Sequence, residues 1–277
     1  MTSETHIGLD TAVPPSGAAA DWTIPQQWDR FTAVDHRVWD LLFARQQECL
    51  KGRAVKSFFD GLDLLKLSRP GIPNFEELNE RLFARTGWTV VSVPGLVPDQ
   101  VFFDHLSHRR FPAGNFIRAA TSLDYLEEPD VFHDVFGHVP ILADPVAADF
   151  IQHLGALGLE AYEKGTLQRL ARLYWYTIEF GLTMEAGERR IYGAGILSSF
   201  GESVYALESP VPHRSRFDID QVLRMRYRTD SFQPRYFVID SFEALLGTVA
   251  EGLDHLYEGL EGSEDLEPHH ADLDRAA

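Results

Sequence analysis

Between residues 32 and 50 the apolar positions Val38, Leu41, Leu42 and Ala44 recur at helical spacing, and Asp35 is placed to cap that helix. A second helical pattern runs from Phe75 to Thr86 and meets Gly87, a residue suited to ending a helix. Beyond it, residues 88–93 read as a strand that runs into a turn marked by Pro94, Gly95 and Pro98. Residues 102–109 predict a short helix, 109–114 a loop, and 115–118 a strand-like stretch. From Val131 onward the pattern predicts helices over 132–138, 147–164 and 166–182. Residues 190–202 are punctuated by glycines that permit close backbone approach, and the chain shows no internal repeat or sustained heptad.

Length and composition narrow the classes. A chain of 277 residues with 44% hydrophobic residues suits one domain around one core. Residues 1–20 offer no periodic apolar face and read as a flexible tail, 21–260 as the domain, and 261–277 as a solvated acidic tail that includes His269 and His270. The formal charge of −17 repels phosphate backbones and anionic headgroups, so neither nucleic acid nor membrane is an expected partner. The single cysteine, Cys49, cannot form an intrachain disulfide. With no signal-like opening and no apolar run of spanning length, the expected setting is cytoplasmic.

Candidate chemistry centres on residues 129–140, where His133 and His138 lie five apart among Val131, Phe132, Val135, Phe136 and Val139. On a regular helix this spacing rotates by roughly 140°, so the two rings would not share a face. Gly137 and Pro140 are suited to bending or ending the helix so that both imidazoles reach one ion. Polar rings carried into an apolar interior need partners: a metal is one, a buried carboxylate another. A third ligand is available in Glu179, the only acid between Lys164 and Met184, set among Trp175, Tyr176, Ile178 and Phe180. An ion pair with Arg172, two turns back, is the plain alternative. Two histidines and one carboxylate form the facial set of non-haem Fe(II) oxygenases, although zinc accepts the same ligands.

Six motifs, in order, carry a family resemblance: residues 72–79 (IPNFEELN), 93–99 (VPGLVPD), 110–118 (RFPAGNFIR), 128–138 (EPDVFHDVFGH), 174–181 (YWYTIEFG) and 192–202 (YGAGILSSFGE). From about Trp22 to Tyr257 the chain resembles the pterin-dependent aromatic amino acid hydroxylases. The resemblance implies a fold that is mainly α with short β-strands, built as a single aromatic amino acid hydroxylase catalytic domain around iron. It places the iron ligands on His133, His138 and Glu179. It places the pterin against Gly95, Leu96 and Val97, against Phe102 for stacking, and against Asp134, where animal members carry glutamate and the shorter acid implies contact through water. For the amino acid it places Arg118 at the carboxylate, Trp175 at the ring, and Ser198 near both substrate and a ligand histidine. Read without the family, Arg118 could equally form a surface ion pair, Trp175 a piece of core and Ser198 a turn.

The implied activity is hydroxylation of L-phenylalanine to L-tyrosine, for phenylalanine catabolism or tyrosine supply. It uses Fe(II), a tetrahydropterin (tetrahydrobiopterin or a bacterial equivalent) and dioxygen. The family's regulatory domain and heptad helix have no counterpart in this sequence, so the expectation is a monomer without substrate activation. Three other readings stand beside it: a hydroxylase of tryptophan or tyrosine, a zinc hydrolase, and a catalytically silent binding protein in which a metal only locks the fold.

Overall fold

The computed structural model describes residues 13–124, 128–250, 252–260 and 262–269; the expectations for residues 1–12, His270 and 271–277 lie outside them. Helix α1 (Ala33–Leu50) starts at Thr32, whose hydroxyl accepts from Asp35 N–H while the Asp35 carboxylate accepts from Thr32 N–H. The capping residue is therefore Thr32, with Asp35 as its reciprocal partner three residues on. After α2 (Lys56–Leu65), α3 (Phe75–Thr86) begins at an Asn74 cap and closes at Gly87, whose φ of 74° is the left-handed conformation the sequence anticipates.

Strand β1 (Thr89–Val93), helix α4 (Asp99–Ser107) and strand β2 (Arg110–Gly114) follow. Here the structure corrects the reading of residues 109–118: the strand is the motif expected to be a loop, and the expected strand 115–118 is irregular. Among the described residues β2 pairs with β1 alone, in parallel, with Val91 facing Pro112. With one edge of β2 unpaired, a proline without a backbone donor is tolerated there.

The second half holds α5 (Pro145–Lys164), capped by the Asp144 carboxylate, and α6 (Leu167–Tyr174). Then come β3 (Leu182–Glu185), β4 (Glu188–Ile191), α7 (Ala194–Leu197), α8 (Phe200–Glu208), β5 (His213–Arg216), α9 (Ile219–Arg224), β6 (Arg235–Ile239), α10 (Phe242–Val249) and α11 (Asp254–Gly259). The second sheet has the order β4-β3-β6-β5, antiparallel only between β3 and β4. One contiguous core runs from Val38 on α1 to Leu260, and a smaller cluster joins Trp22, Val93 and Val97. Close packing of α5 on α4 depends on Gly155 and Gly158: a Cβ at Gly155 would lie 2.4 Å from Ser107 N, and one at Gly158 2.2 Å from the Phe103 ring. The architecture is the mainly helical one, with short strands, that the resemblance implies.

Residues 13–20 run in turns, with Ala18 N–H donating to Pro15 and Ala19 N–H to Thr23. Residues 262–269 depart from the expected solvated tail. Leu266 bridges Met225 in parallel, and the Asp265 carboxylate pairs with the buried Arg172 at 2.7 Å. A buried guanidinium needs a counter-charge, and this acidic stretch supplies it. His269 is exposed.

Glu202 on α8 is buried, and its Oε1 accepts from Tyr236 OH at 2.7 Å and Gln233 N–H at 3.0 Å. Burial outweighs those bonds and pushes its carboxyl up to about 7, against an ordinary 4.5. The folded state thus holds this proton more tightly than the unfolded chain. Its contribution is complete below about pH 4.5 and is lost as pH rises through about 7. Glu202→Gln, neutral at every pH, is expected to match the parent melting temperature at pH 5 and exceed it at pH 8 in thermal unfolding scans. A constant difference between the two proteins across that range would show that the carboxyl ionises normally.

Candidate functional site

The first histidine pair is built by a π-helical turn, Phe132–His138. In such a turn the backbone bonds run from i to i+5, so residues five apart are stacked on one face. This corrects the bend expected at Gly137 and Pro140: the chain does not break between the histidines but widens around them. Gly137 serves a different purpose, because a Cβ there would sit 2.9 Å from the Ala194 carbonyl where α7 crosses the turn. The rings of His133 and His138 meet edge to face with centroids 5.1 Å apart and their Nε2 atoms 3.3 Å apart.

A second π turn, Trp175–Glu179, continues α6 and ends where Phe180 N–H donates back to the Trp175 carbonyl. The helix predicted over 166–182 therefore changes pitch midway and stops short. That change delivers Glu179 to the histidines: Oε1 lies 3.1 Å from His138 Nε2 and Oε2 3.7 Å from His133 Nε2. Arg172 is bonded to Asp265 instead, which removes the alternative pairing with Glu179. Asp134 also offers an oxygen within 4.8 Å of ligand atoms on both histidines, but its Oδ2 already accepts from Gly114 N–H at 2.8 Å. Glu179, with one oxygen toward each imidazole, is the better third ligand.

Electrostatics suit a cation. Burial lowers the His133 imidazole to about 4, against the pull of Glu179, so near neutral pH the ring is uncharged and its lone pair is available. Burial works to raise the Glu179 carboxyl, but His138, His133 and the Tyr174 hydroxyl outweigh it and leave the group below its ordinary value. Ser198 accepts from His133 Nδ1 at 2.8 Å and donates to the Ala194 carbonyl at 2.8 Å. With its proton committed to Nδ1, His133 presents Nε2 as an acceptor beside the carboxylate. These three donors are of the kind that holds Fe(II) with positions left open. The surroundings are apolar: Phe111 lies 4.7 Å from the His138 ring, and Trp175 and Phe180 are 4.9 Å apart.

Around this centre the other expected residues fall as follows. Phe102, half-buried on α4, meets the Tyr174 ring edge-on at 5.4 Å. Gly95 and Leu96 form the turn after β1, held by Leu96 N–H donating to Glu128 at 3.0 Å. The Phe116 ring approaches both Gly95 and Gly114, and Gly114 leads to Asp134, so these groups border one another. Val97 packs its side chain into the Trp22 cluster, leaving only its main chain for a ligand. Burial pushes the Asp134 carboxyl up to about 7, with Gly114 N–H and His138 pulling the other way.

Arg118 is buried, not at the surface, and the fork expected to grip a substrate carboxylate is already occupied. Its Nε and Nη2 bond the two oxygens of Asp130 at 2.8 Å each. The Nη1–Nη2 end remains, with one Nη1 contact to the Leu123 carbonyl at 3.3 Å. Asp130, fully buried, also accepts from the backbone N–H of Arg118 at 2.8 Å and of His133 at 3.0 Å. Sequence reasoning gave Asp130 no role. Its position three residues before His133, where a helix-capping carboxylate stands, was the available signal. Tyr174 and Tyr227 were likewise missed; Tyr227 stacks on Trp175 with centroids 4.3 Å apart, a contact between distant segments that no local pattern reports.

A family profile described as biopterin-dependent aromatic amino acid hydroxylase matches residues 22–256. The phenylalanine-4-hydroxylase of Caulobacter vibrioides is 55% identical over 253 residues, which is 91% of this chain and 86% of that protein. The iron- and phenylalanine-bound crystal structure of phenylalanine hydroxylase from Chromobacterium violaceum superposes with a TM-score of 0.88 at 47% identity, covering 92% of this chain and 93% of that one. The same enzyme with iron(III) and 7,8-dihydrobiopterin gives a TM-score of 0.87 at 47% identity, covering 93% and 92%. The chain belongs to the biopterin-dependent aromatic amino acid hydroxylase family.

Proposed function

We infer that this protein is a phenylalanine 4-monooxygenase: it hydroxylates L-phenylalanine at the para position to give L-tyrosine, using Fe(II), a tetrahydropterin and dioxygen. The observation that carries the reading is the meeting of His133, His138 and Glu179 among aromatic side chains, in a chain with phenylalanine hydroxylases as relatives along most of its length. Bound iron and reduced pterin supply the activation of dioxygen. The side chains supply position. His133, His138 and Glu179 would hold the ion, and Ser198 fixes the tautomer of His133. Phe102 and the turn Gly95–Leu96–Val97 would hold the pterin ring, with Asp134 beside it. Arg118, pinned side-on by Asp130, turns its remaining N–H groups to the substrate carboxylate, and Trp175 packs on the aromatic ring. The aromatic walls keep bulk water from the reacting carbon.

The reading extends to organisation. A single catalytic domain, expected over 21–260 and extended by the packed residues 262–269, is supported by the main core, which Leu266 also joins. A cytoplasmic setting accords with the lone unpaired Cys49, and a monomer with a charge of −17 that opposes self-association. Among the described residues no helix is long and apolar enough to cross a membrane.

The direct test supplies purified protein with Fe(II), a tetrahydropterin and L-phenylalanine in air and follows tyrosine by chromatography. Tyrosine is expected only when all components are present, and none from His138→Ala. Hydroxylation of tryptophan but not phenylalanine would overturn the substrate assignment. Loss of the Ser198 hydroxyl should weaken the site without dismantling it. Ser198→Ala is expected to lower Fe(II) affinity by about 10–100-fold in anaerobic titrations, with a small drop in the metal-free melting temperature from the two lost hydrogen bonds; parent-like affinity would remove Ser198 from the metal's support.

A further inference from the structure

Residues 264–268 form a strap that bonds α6, the end of α9 with the residues after it, and β6. Leu266 N–H donates to the Arg224 carbonyl at 2.8 Å, and Arg226 N–H donates to the Leu266 carbonyl at 2.9 Å. Arg224 Nε donates to the Glu264 carbonyl, and Arg235 Nε on β6 to the Pro268 carbonyl. At the centre, Asp265 takes both terminal nitrogens of Arg172, at 2.7 and 2.9 Å, and Arg226 Nε at 3.3 Å. Arg172 is 1% exposed and sits one turn before Trp175, and its Nη1 also reaches the Leu223 carbonyl.

The strapped segment 224–228 carries Tyr227, which is buried and stacks on Trp175 with an interplanar angle of 19°. Tyr176, next to Trp175, donates its hydroxyl to the Arg226 carbonyl at 2.6 Å. Among the described residues the ring partners of Trp175 are Phe180 and, from the strapped segment, Tyr227, the nearer of the two.

We propose that the strap Glu264–Pro268, locked by Asp265 onto Arg172, is a positioning element for substrate binding: it holds Tyr227 against Trp175 and so fixes the wall that receives the substrate ring. This rests on the assignment of Trp175 to the substrate. Asp265 touches neither iron ligands nor pterin residues, so it governs substrate affinity more than turnover. Losing the order of one aromatic pair corresponds to about a three- to tenfold change in an equilibrium.

Full-length Asp265→Asn, Leu266→Ala and Tyr227→Leu, the double variant Asp265→Asn/Tyr227→Leu, and Asp265→Glu are assayed for phenylalanine KM and kcat, with Trp175→Ala as the reference. Leu266→Ala loosens the strap without stranding the charge of Arg172, and decides the matter if Asp265→Asn does not fold. The expected result is a KM raised about three- to tenfold in each single strap variant, kcat within about twofold, recovery in Asp265→Glu, and no further rise in the double variant over Tyr227→Leu. If Trp175→Ala raises KM while folded Asp265→Asn and Leu266→Ala keep the parent value, the strap proposal falls and the Trp175 assignment stands. Additive effects in the double variant would also overturn the proposal. An unchanged KM in Trp175→Ala would overturn the substrate assignment and the proposal together.

Discussion

A carboxylate facing two imidazoles in an aromatic interior is the constraint around which this molecule is arranged. An ionised Glu179 among Trp175, Ile178 and Phe180 is costly to desolvate, and neutral imidazoles offer it at most one donated hydrogen each. A divalent cation satisfies all three groups at once. Bringing them together takes two π turns, since a regular helix puts His133 and His138 on different sides and would leave Glu179 at another angle. Each widened turn gives up some helical regularity, and the packing of α7, whose Ala194 carbonyl presses on Gly137, holds the first one in place.

Around that centre, single residues serve two neighbours at a time. Asp130 takes four hydrogen bonds, three from Arg118 and one from the backbone of His133, so one buried carboxylate joins the proposed substrate anchor to the metal side. Ser198 ties His133 to α7 in the same manner. Satisfying every lone pair of Asp130 is what allows a charge to be fully buried there, and it holds that carboxyl below its ordinary range: burial opposes, but the bonds and charge of Arg118 outweigh it.

Much of this was legible in the sequence where the cause is local. Helices with clear caps and periodic apolar faces, such as α3 from Asn74 to Gly87, could be read almost to the residue. His133, His138 and Glu179 stand out in the sequence as polar groups stranded in apolar runs. What could not be read has its cause in tertiary contact. The π pitch of 132–138 is imposed by packing, the pairing of Pro112 with Val91 depends on which edge of a strand is left open, and the partnership of Arg172 with Asp265 spans 93 residues. Gly137 has the look of a helix breaker in the sequence but is a clearance in the fold, and its value is visible only from the other side of the contact.

The central claim, that one ion sits between these three side chains, is tested most directly by a crystal structure of the Fe(II)-loaded protein with anomalous data collected at the iron edge. A single peak is expected within bonding distance of Nε2 of His133, Nε2 of His138 and an oxygen of Glu179. A peak that engages Asp134 in place of Glu179, or no peak in protein that binds stoichiometric iron, would contradict it.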